Sequence, residues 1–144
     1  MIFGSQQGDL RVKHLLNELD IQYSLTQQGR FRVLVRFDDG RSQVAFIDSD
    51  TYEFAGFEIR EVWSIAHIFP GMPDSSAMLR LLMHNEVVKI GSWRIIERDA
   101  EEFLAVFSAP IAADTDPRSL QGVLRAVLQT ADAMEQELNG EDDF

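Results

Sequence analysis

Three histidines and two close pairs of carboxylates are the residues of this 144-residue chain whose types could support acid–base or metal chemistry. His14, His67 and His84 lie on different predicted elements, and none has a second histidine three or four residues away. A structural zinc ion takes about four ligands, and the chain has no cysteine to supply any of them. The carboxylate pairs at 38–39 and 101–102 fall in predicted turns, where water solvates them. The sequence therefore predicts no metal site and no bound cofactor.

Motifs for nucleotide binding and hydrolysis are also missing from the sequence. The chain has no G-x-G-x-x-G or GK[ST] phosphate loop, no G-x-S-x-G elbow and no H-E-x-x-H pair. One catalytic arrangement stays open because distant residues can meet in a fold, namely His67 with Glu61 or Glu97 from neighbouring strands. Without such a group in a closed pocket, we expect no catalytic residues and no enzymatic activity.

Aromatic and aliphatic residues are the better candidates for a functional surface. The chain has ten Phe, two Trp and two Tyr. For each Trp a core position is favoured, and an exposed anchor for a partner is the alternative. The run from Phe103 to Phe107 is apolar on both faces, which places it in the middle of a sheet or under a partner. The candidate surface for a protein client or for a homodimer comprises Trp63, Trp93, Phe103, Phe107, Val123 and Leu128.

Composition and charge limit the class of protein. With 45% hydrophobic and 26% charged residues, residues 1–144 have the size of one domain, and residues 140–144 indicate a solvated acidic tail. The formal net charge of −11 disfavours nucleic acid, which proteins bind by neutralising phosphates. Apolar runs stay below the roughly 18 residues of a membrane span, and residues 1–10 do not resemble a secretion signal. We therefore expect a cytoplasmic protein that binds neither nucleic acid nor membrane.

A cluster of arginines interrupts this acidic pattern. Arg30, Arg32, Arg36 and Arg41 fall within twelve residues, with two aspartates at 38–39 among them. Basic residues that alternate with apolar ones are typical of the solvated face of a strand. That interpretation is favoured over an anion-binding site.

Three segments have the apolar spacing of amphipathic helices, with side chains repeating at three and four residues. Asp9 is a candidate N-cap for the first of them, and Asn85 ends the second. The third has Pro117 in its first turn and an apolar stripe wide enough to cover a sheet. The predicted helices are 9–19, 74–84 and 116–138.

Between the helices, apolar and polar residues alternate as in half-buried strands. Turn sequences with glycine at 27–29 and 38–40 predict an antiparallel meander. The segment 48–56 fits either an irregular loop or a short hairpin. The predicted strands are 23–26, 31–37, 43–47, 57–69, 89–97 and 103–108. The predicted fold class is therefore α+β, with three helices and a predominantly antiparallel sheet.

The apolar faces of these elements predict one hydrophobic core. Helix stripes and inward-facing strand positions supply its members. The predicted core positions are Val12, Leu15, Leu16, Leu19, Val33, Val35, Leu82, Phe103, Ala105, Phe107, Leu124, Val127 and Ala131.

The order of elements and several residues resemble the YbjN-like family. The points of likeness, over roughly residues 9–138, are a helix ending in Leu81-Leu82-x-x-Asn85, a strand with Gly91, the helix opening Asp116-Pro117-x-x-Leu120 and the segment Ala131-Asp132-x-Met134-Glu135. The turn at 98–101 departs from the family because it lacks the glycine often found there. The family is similar in fold to the class I chaperones of type III secretion, which are small acidic homodimers. The resemblance implies helices over an antiparallel sheet, usually a dimer, with exposed apolar grooves for a client segment.

The resemblance brings no catalytic residues to this chain. Together with the missing motifs, it predicts a non-enzymatic protein-interaction module, a chaperone-like adaptor or regulator, that binds a client segment on an apolar sheet or helix surface. The alternative is a regulatory domain that senses a small ligand in an apolar pocket between the first helix and the sheet. An open groove favours the client binder, whereas a pocket with two or three convergent polar groups favours the sensor.

Overall fold

The structure is a computed structural model that describes residues 7–99 and 101–142. Within this part, the helices with defined starts and ends are α1 (Leu10–Glu18), α2 (Ser75–His84) and α3 (Pro117–Asp142). The two shorter helices match their predictions to within a residue at each end. Helix α3 continues past the predicted end at 138 to Asp142, so the predicted tail 140–144 begins as helical backbone. Residues 143 and 144 of that tail lie outside the described residues.

The strands form one antiparallel sheet. They are β1 (Ser24–Leu25), β2 (Phe31–Arg36), β3 (Ser42–Ile47), β4 (Tyr52–Phe54), β5 (Phe57–Phe69), β6 (Ser92–Glu97) and β7 (Phe103–Ala112). Their order is β1-β2-β3-β5-β7-β6, and β4 pairs with β5 as a short hairpin in the segment that fitted either loop or hairpin. Every pairing is antiparallel. The predicted α+β class is confirmed, and β7, apolar on both faces, lies between β5 and β6.

Helices pack on one face of the sheet, which we call the helix face. Cross-strand register aligns Val33 of β2 with Ala45 of β3, and Ser64 of β5 with Phe107 of β7, and all four are buried. Their neighbours along each strand point to the opposite side, because side chains alternate across a strand. We call that side the open face. Its members include Arg32, Leu34, Arg36, Val44, Phe46, Glu61, Trp63, Ile65, Arg94, Ile96, Leu104, Val106 and Ser108.

Most predicted core positions are buried under the helices. The buried ones are Val12, Leu16, Val33, Ala105, Phe107, Leu124, Val127 and Ala131. Four others are half-buried at the margins of the core, namely Leu15, Leu19, Val35 and Phe103. Helix α3 therefore covers the sheet through the stripe that its spacing predicted.

The predicted burial of Leu82 is wrong. In α2 the buried residue is Leu81, whereas Leu82 is 66% exposed. The half-buried residues Ala77 and Val88 pack against the same core, four residues before and seven after Leu81. These three positions face the sheet, and one residue along a helix is a turn of about 100°, which carries Leu82 towards solvent.

Gly91 fits a site that no larger residue could occupy without movement. Its φ is +86°, and a Cβ there would lie 2.8 Å from two ring carbons of Phe107 and 2.9 Å from the carbonyl oxygen of Ser108. The chain entering β6 can therefore pass close to β7 only at a glycine. In the glycine-free turn at 98–101, Asp99 adopts a φ of +78° instead, a conformation that aspartate tolerates better than most residues.

A cluster of charged side chains fastens the start of α1 to the sheet. Arg60 on β5 is 1% exposed and donates from Nη2 to Asp9 Oδ2 at 2.8 Å, and Asp9 caps α1 by accepting from the Arg11 N–H. Burial raises the pKa of Asp9, but hydrogen bonds from Arg11 and Arg60 outweigh it and hold that pKa well below its usual range. Arg11 also makes two bonds to Glu58, at 3.0 and 2.9 Å. Those bonds and one from Thr51 lower the pKa of Glu58 to about 2.

The long strand β5 contains a bulge. Its register against β7 shifts between Ile65 and His67, so that Ile65 pairs with Val106 and His67 with Ala105. The intervening Ala66 is the extra residue. Because of this shift, His67 and Phe69 face the helices, whereas Ile68 faces the other side.

Candidate functional site

An open cleft of about 530 Å³ lies on the open face. Strand and turn residues line it, and none of its lining residues comes from a helix. Leu104 and Val106 of β7 are buried and form its floor. The wall residues are Arg30, Asp48, Tyr52, Glu61, Trp63, Arg94, Ile96, Glu97 and Arg98. The cleft is thus an apolar floor with charged walls.

Trp63 is the fixed aromatic group of this cleft. Its ring stacks on Phe46 with centroids 4.5 Å apart, and its Nε1–H donates to Asp48 Oδ1 at 2.9 Å. Arg30 lies over the same ring at 5.5 Å and donates from Nε to the same oxygen at 3.2 Å. A half-buried ring that contacts Phe46 and Arg30 and is hydrogen-bonded at its nitrogen loses little conformational freedom on binding, which suits an anchor for a partner.

Most of the other charged side chains in the walls of the cleft form ion pairs or hydrogen bonds with neighbouring side chains. Arg94 lies 3.2 Å from Glu61 and donates to Ser108 Oγ at 2.7 Å, and the Ser108 hydroxyl donates to Glu61 Oε2 at 2.7 Å. Arg98 bonds Glu102 in the adjoining hairpin. Each of these carboxylates is held by a guanidinium, and charge-assisted bonds of this kind fix the positions of the side chains.

A shallower depression of about 330 Å³ adjoins the cleft on the far side of the Phe46–Trp63 stack. It is lined by Arg32, Ser42, Gln43, Val44, Phe46, Ile65, Ile68 and Glu135. Leu34 lies beside it, since it pairs with Val44 across β2 and β3. We call the residues that line this depression, together with Leu34 and Arg36, the β2–β3 patch. Leu34 and Ile68 are 44% and 46% exposed, so the patch presents apolar surface to solvent.

One carboxylate of the β2–β3 patch belongs to a helix. Burial and the neighbouring Asp132 raise the pKa of Glu135, and His67 and Arg41 offset part of that rise. Gln43, the buried member of the patch, donates to Ser64 Oγ at 2.9 Å and to the Ile65 carbonyl at 2.8 Å. These bonds fix the edge of β3 beside the bulge.

The catalytic arrangement that the sequence left open does not form. His67 faces the helices because of the bulge, where its ring meets Phe69 edge-on at 4.6 Å. Glu61 lies on the open face, paired with Arg94. In the part of the chain that the structure describes, no hydrogen bond or ion pair joins His67 to Glu61 or Glu97, and no cluster of three metal-ligating side chains occurs.

The six residues predicted as a partner or dimer surface separate into two groups. Trp93, Phe107 and Leu128 are buried within the chain's own core, where Trp93 packs on Phe107 with centroids 5.0 Å apart. These three side chains cannot line an exposed surface of this fold, because β6 and β7 direct the first two under the helices. Trp63, Phe103 and Val123 are half-buried. Among them, Trp63 is the one that lines the cleft.

A second apolar surface lies on α2, and the sequence did not predict it because Leu82 was assigned to the core. We call it the α2 patch, and it consists of Leu79, Leu82 and Met83 on the helix, Met72 before it and Val87 after it, each more than half exposed. Helix α2 is attached to the sheet on its other side, where Trp93 Nε1 donates to His84 Nδ1 at 2.8 Å.

The predicted ligand pocket between the first helix and the sheet corresponds to a polar depression. The cavity next to the end of α1 has about 300 Å³ and is lined by Asn17, Asp20, Ile21, Gln22 and Tyr23. Small-ligand sites are usually enclosed and mostly apolar, and this polar depression does not match that description.

Among the helices described, none is long and apolar enough to cross a membrane.

Comparison with known proteins identifies the fold. No protein-family model and no curated protein sequence matches the chain. The crystal structure of YbjN from E. coli matches with a TM-score of 0.56 and 12% identity over 91% of this chain and 90% of that one. The Yersinia pestis type III secretion chaperone SycH, solved with a stable fragment of YscM2, matches with a TM-score of 0.51 and 15% identity over 88% and 98%. The predicted YbjN-like, secretion-chaperone-like fold is confirmed.

Proposed function

We propose that this chain, with the fold of YbjN and of the secretion chaperone SycH, is a non-enzymatic protein-interaction module of the cytoplasm. In this proposal it acts as a chaperone-like adaptor or regulator that holds an extended client segment on its open face. The observation that carries the proposal is the open face itself, on which Trp63 is held rigidly above an apolar floor. The SycH structure, which contains a fragment of a second protein, supports protein binding as a use of this fold.

The geometry of the open face favours a chain segment over a small ligand. The cleft and the β2–β3 patch adjoin across one aromatic stack, so together they follow the sheet across several strands. Partly exposed Leu34, Ile68 and Ile96 present apolar groups along this surface. Exposed apolar surface bordered by charged groups is typical of a protein-interaction site, whereas a ligand sensor needs an enclosed pocket.

Photocrosslinking tests this proposal directly. We would place p-benzoylphenylalanine at Leu34 or Ile96 on the open face, and at Gln121 or Gln129 on the exposed side of α3 as matched controls. The proposal expects the same client protein to crosslink at both open-face positions in cells of the source organism, and not at the helix positions. Crosslinks that are absent from the open face, or equal at all four positions, would overturn it.

We propose further that the chain is a homodimer that buries the α2 patch. Several large apolar side chains on a short helix and in the segments beside it are costly to leave in water, and a two-fold axis lets one patch cover itself. Light scattering should give twice 16.4 kDa at micromolar concentration. Leu82→Asp should lower the measured mass to that of the monomer, whereas Leu10→Asp, at a similarly exposed position on α1, should leave the mass unchanged. A wild-type monomer would overturn the dimer.

A further inference from the structure

The charge of the β2–β3 patch differs from the charge of the whole chain. Of the four clustered arginines, Arg30 is paired with Asp48 and Arg41 with Asp132. Arg32 and Arg36 are exposed and have no ion-pair partner among the described residues. A chain with a net charge of −11 thus presents two unpaired guanidinium groups beside an apolar surface.

The two free arginines stand at a defined spacing. Arg32, Leu34 and Arg36 occupy alternate positions of β2, so all three side chains leave the same face of the sheet. At about 3.3 Å per residue, their Cα atoms span about 13 Å. Leu34 lies midway, exposed, and pairs with Val44 across the strands. The pattern is cation, apolar group, cation along one line.

We infer that the β2–β3 patch binds an acidic, amphipathic, extended segment of a client protein, with the pattern acidic–x–apolar–x–acidic. This inference rests on the proposed function and specifies the chemistry of the client. An extended partner repeats its side chains with the same period as β2. Two carboxylates four residues apart would meet Arg32 and Arg36, and the residue between them would cover Leu34 and Val44.

Local charge outweighs net charge at such a contact. At physiological ionic strength, charges more than about 8 Å away are largely screened, so the distant carboxylates that make up most of the −11 act weakly here. Glu135, the carboxylate that lines the patch, is partly buried, and burial favours its neutral form. A basic segment would meet two unpaired cations at the contact itself, which opposes docking.

Fluorescence anisotropy with labelled peptides tests the inference. Three extended peptides would differ in one pair of residues: Glu-Thr-Leu-Thr-Glu, Gln-Thr-Leu-Thr-Gln and Lys-Thr-Leu-Thr-Lys, each within the same flanking sequence. We expect affinity to fall in that order, and added salt to weaken the Glu peptide most. Glu-Glu-Leu-Thr-Thr, with the same composition and the wrong spacing, should bind less tightly than the first peptide.

Protein variants connect the peptide result to the patch. Arg32→Gln with Arg36→Gln should weaken the Glu peptide roughly two- to thirtyfold, the range expected for two exposed charge pairs. Arg125→Gln, at an exposed position of α3, should leave its affinity unchanged. Equal affinity for all three peptides, tighter binding of the Lys peptide, or no binding of any peptide would overturn the inference. Crosslinking at Leu34 to a client without the acidic pattern would overturn it while the proposed function stood.

Discussion

Asn85 and Trp93 are joined by two hydrogen bonds in which a side-chain amide takes the place of a neighbouring strand. The Trp93 N–H donates to Asn85 Oδ1 at 2.6 Å, and Asn85 Nδ2 donates to the Trp93 carbonyl at 3.4 Å. Asn85 directly follows α2, and Trp93 lies in the edge strand β6. The amide therefore ties α2 to the sheet and satisfies the outward backbone groups of an edge strand at one position.

Replacing Asn85 should measure the strength of this link. We expect Asn85→Ala to lower the free energy of unfolding by about 1–3 kcal/mol, because the partly buried Trp93 N–H loses its acceptor. Urea denaturation gives the value. Asn17→Ala, at an exposed position of α1, should change it by less than about 0.5 kcal/mol. Equal effects of the two substitutions would show that the amide bonds contribute nothing.

Truncation of Leu124 tests the packing of α3. Leu124 is 4% exposed beneath the sheet, so Leu124→Ala should cost about 2–5 kcal/mol of unfolding free energy through lost burial and the cavity left behind. Leu10→Ala removes the same atoms from an exposed position of α1 and is the control. A loss at Leu124 no larger than the loss at Leu10 would mean that α3 does not cover the sheet through this stripe.

Acid should weaken the attachment of α1. The folded-state pKa of Glu58 is lowered from 4.5 to about 2, and that of Asp9 lies below its ordinary 3.8. A carboxyl with a depressed folded pKa stabilises the protein above its unfolded pKa and loses this contribution as pH falls towards the folded value. We therefore expect stability to decline below about pH 4.5.

Variants identify the groups responsible for that decline. Asp9→Asn and Glu58→Gln should lower stability near pH 7 and flatten its dependence on pH between about 4.5 and 2. Glu18→Gln, at an exposed position of α1, should leave the curve unchanged. Denaturation midpoints across this pH range provide the measurement, and an unaltered slope in Asp9→Asn and Glu58→Gln would contradict the assignment.

Gly91 and Gly40 form a matched pair for separating backbone strain from steric contact. Their φ angles are +86° and +90°, but an added Cβ would meet the Phe107 ring at Gly91 and nothing within 4 Å at Gly40. Both alanine substitutions should cost about 1 kcal/mol for the left-handed backbone. Gly91→Ala should cost at least about 1 kcal/mol more for displacing the ring. Equal losses in thermal unfolding would show that β6 and β7 have room to separate.

The helices and most of the core could be predicted because their signals are local. A stripe at three- and four-residue spacing identifies α3 and places Leu124 inward without knowledge of the partner element. In α2, two adjacent leucines fitted the stripe equally well, and only packing against β6 decides that Leu81 turns inward. The two tryptophans show the same limit, since the register of β6 against β7 buries Trp93, whereas Trp63 faces the open side.

The open face could not be predicted as a site because long-range pairing assembles it. Strand β3 meets β5 only after the chain has passed through β4, and β7 joins the sheet after α2. The stack of Phe46 on Trp63 depends on the first of these pairings and the floor of the cleft on the second. A local signal did exist in the alternation of Arg32, Leu34 and Arg36, which correctly indicated an exposed strand face.

The bulge in β5 gives that strand one place where its length can change without moving side chains between the two faces of the sheet. Ala66 is the one unmatched residue, and His67, Ile68 and Phe69 already lie opposite Ala105, Leu104 and Phe103. Deleting Ala66 would therefore restore an uninterrupted ladder and leave Phe69 on the helix face. Deleting Val62, in the regular part of the same strand, would reverse the facing of the residues on one side of the deletion. Libraries of single-residue deletions should therefore retain folded variants that lack Ala66 more often than variants that lack Val62.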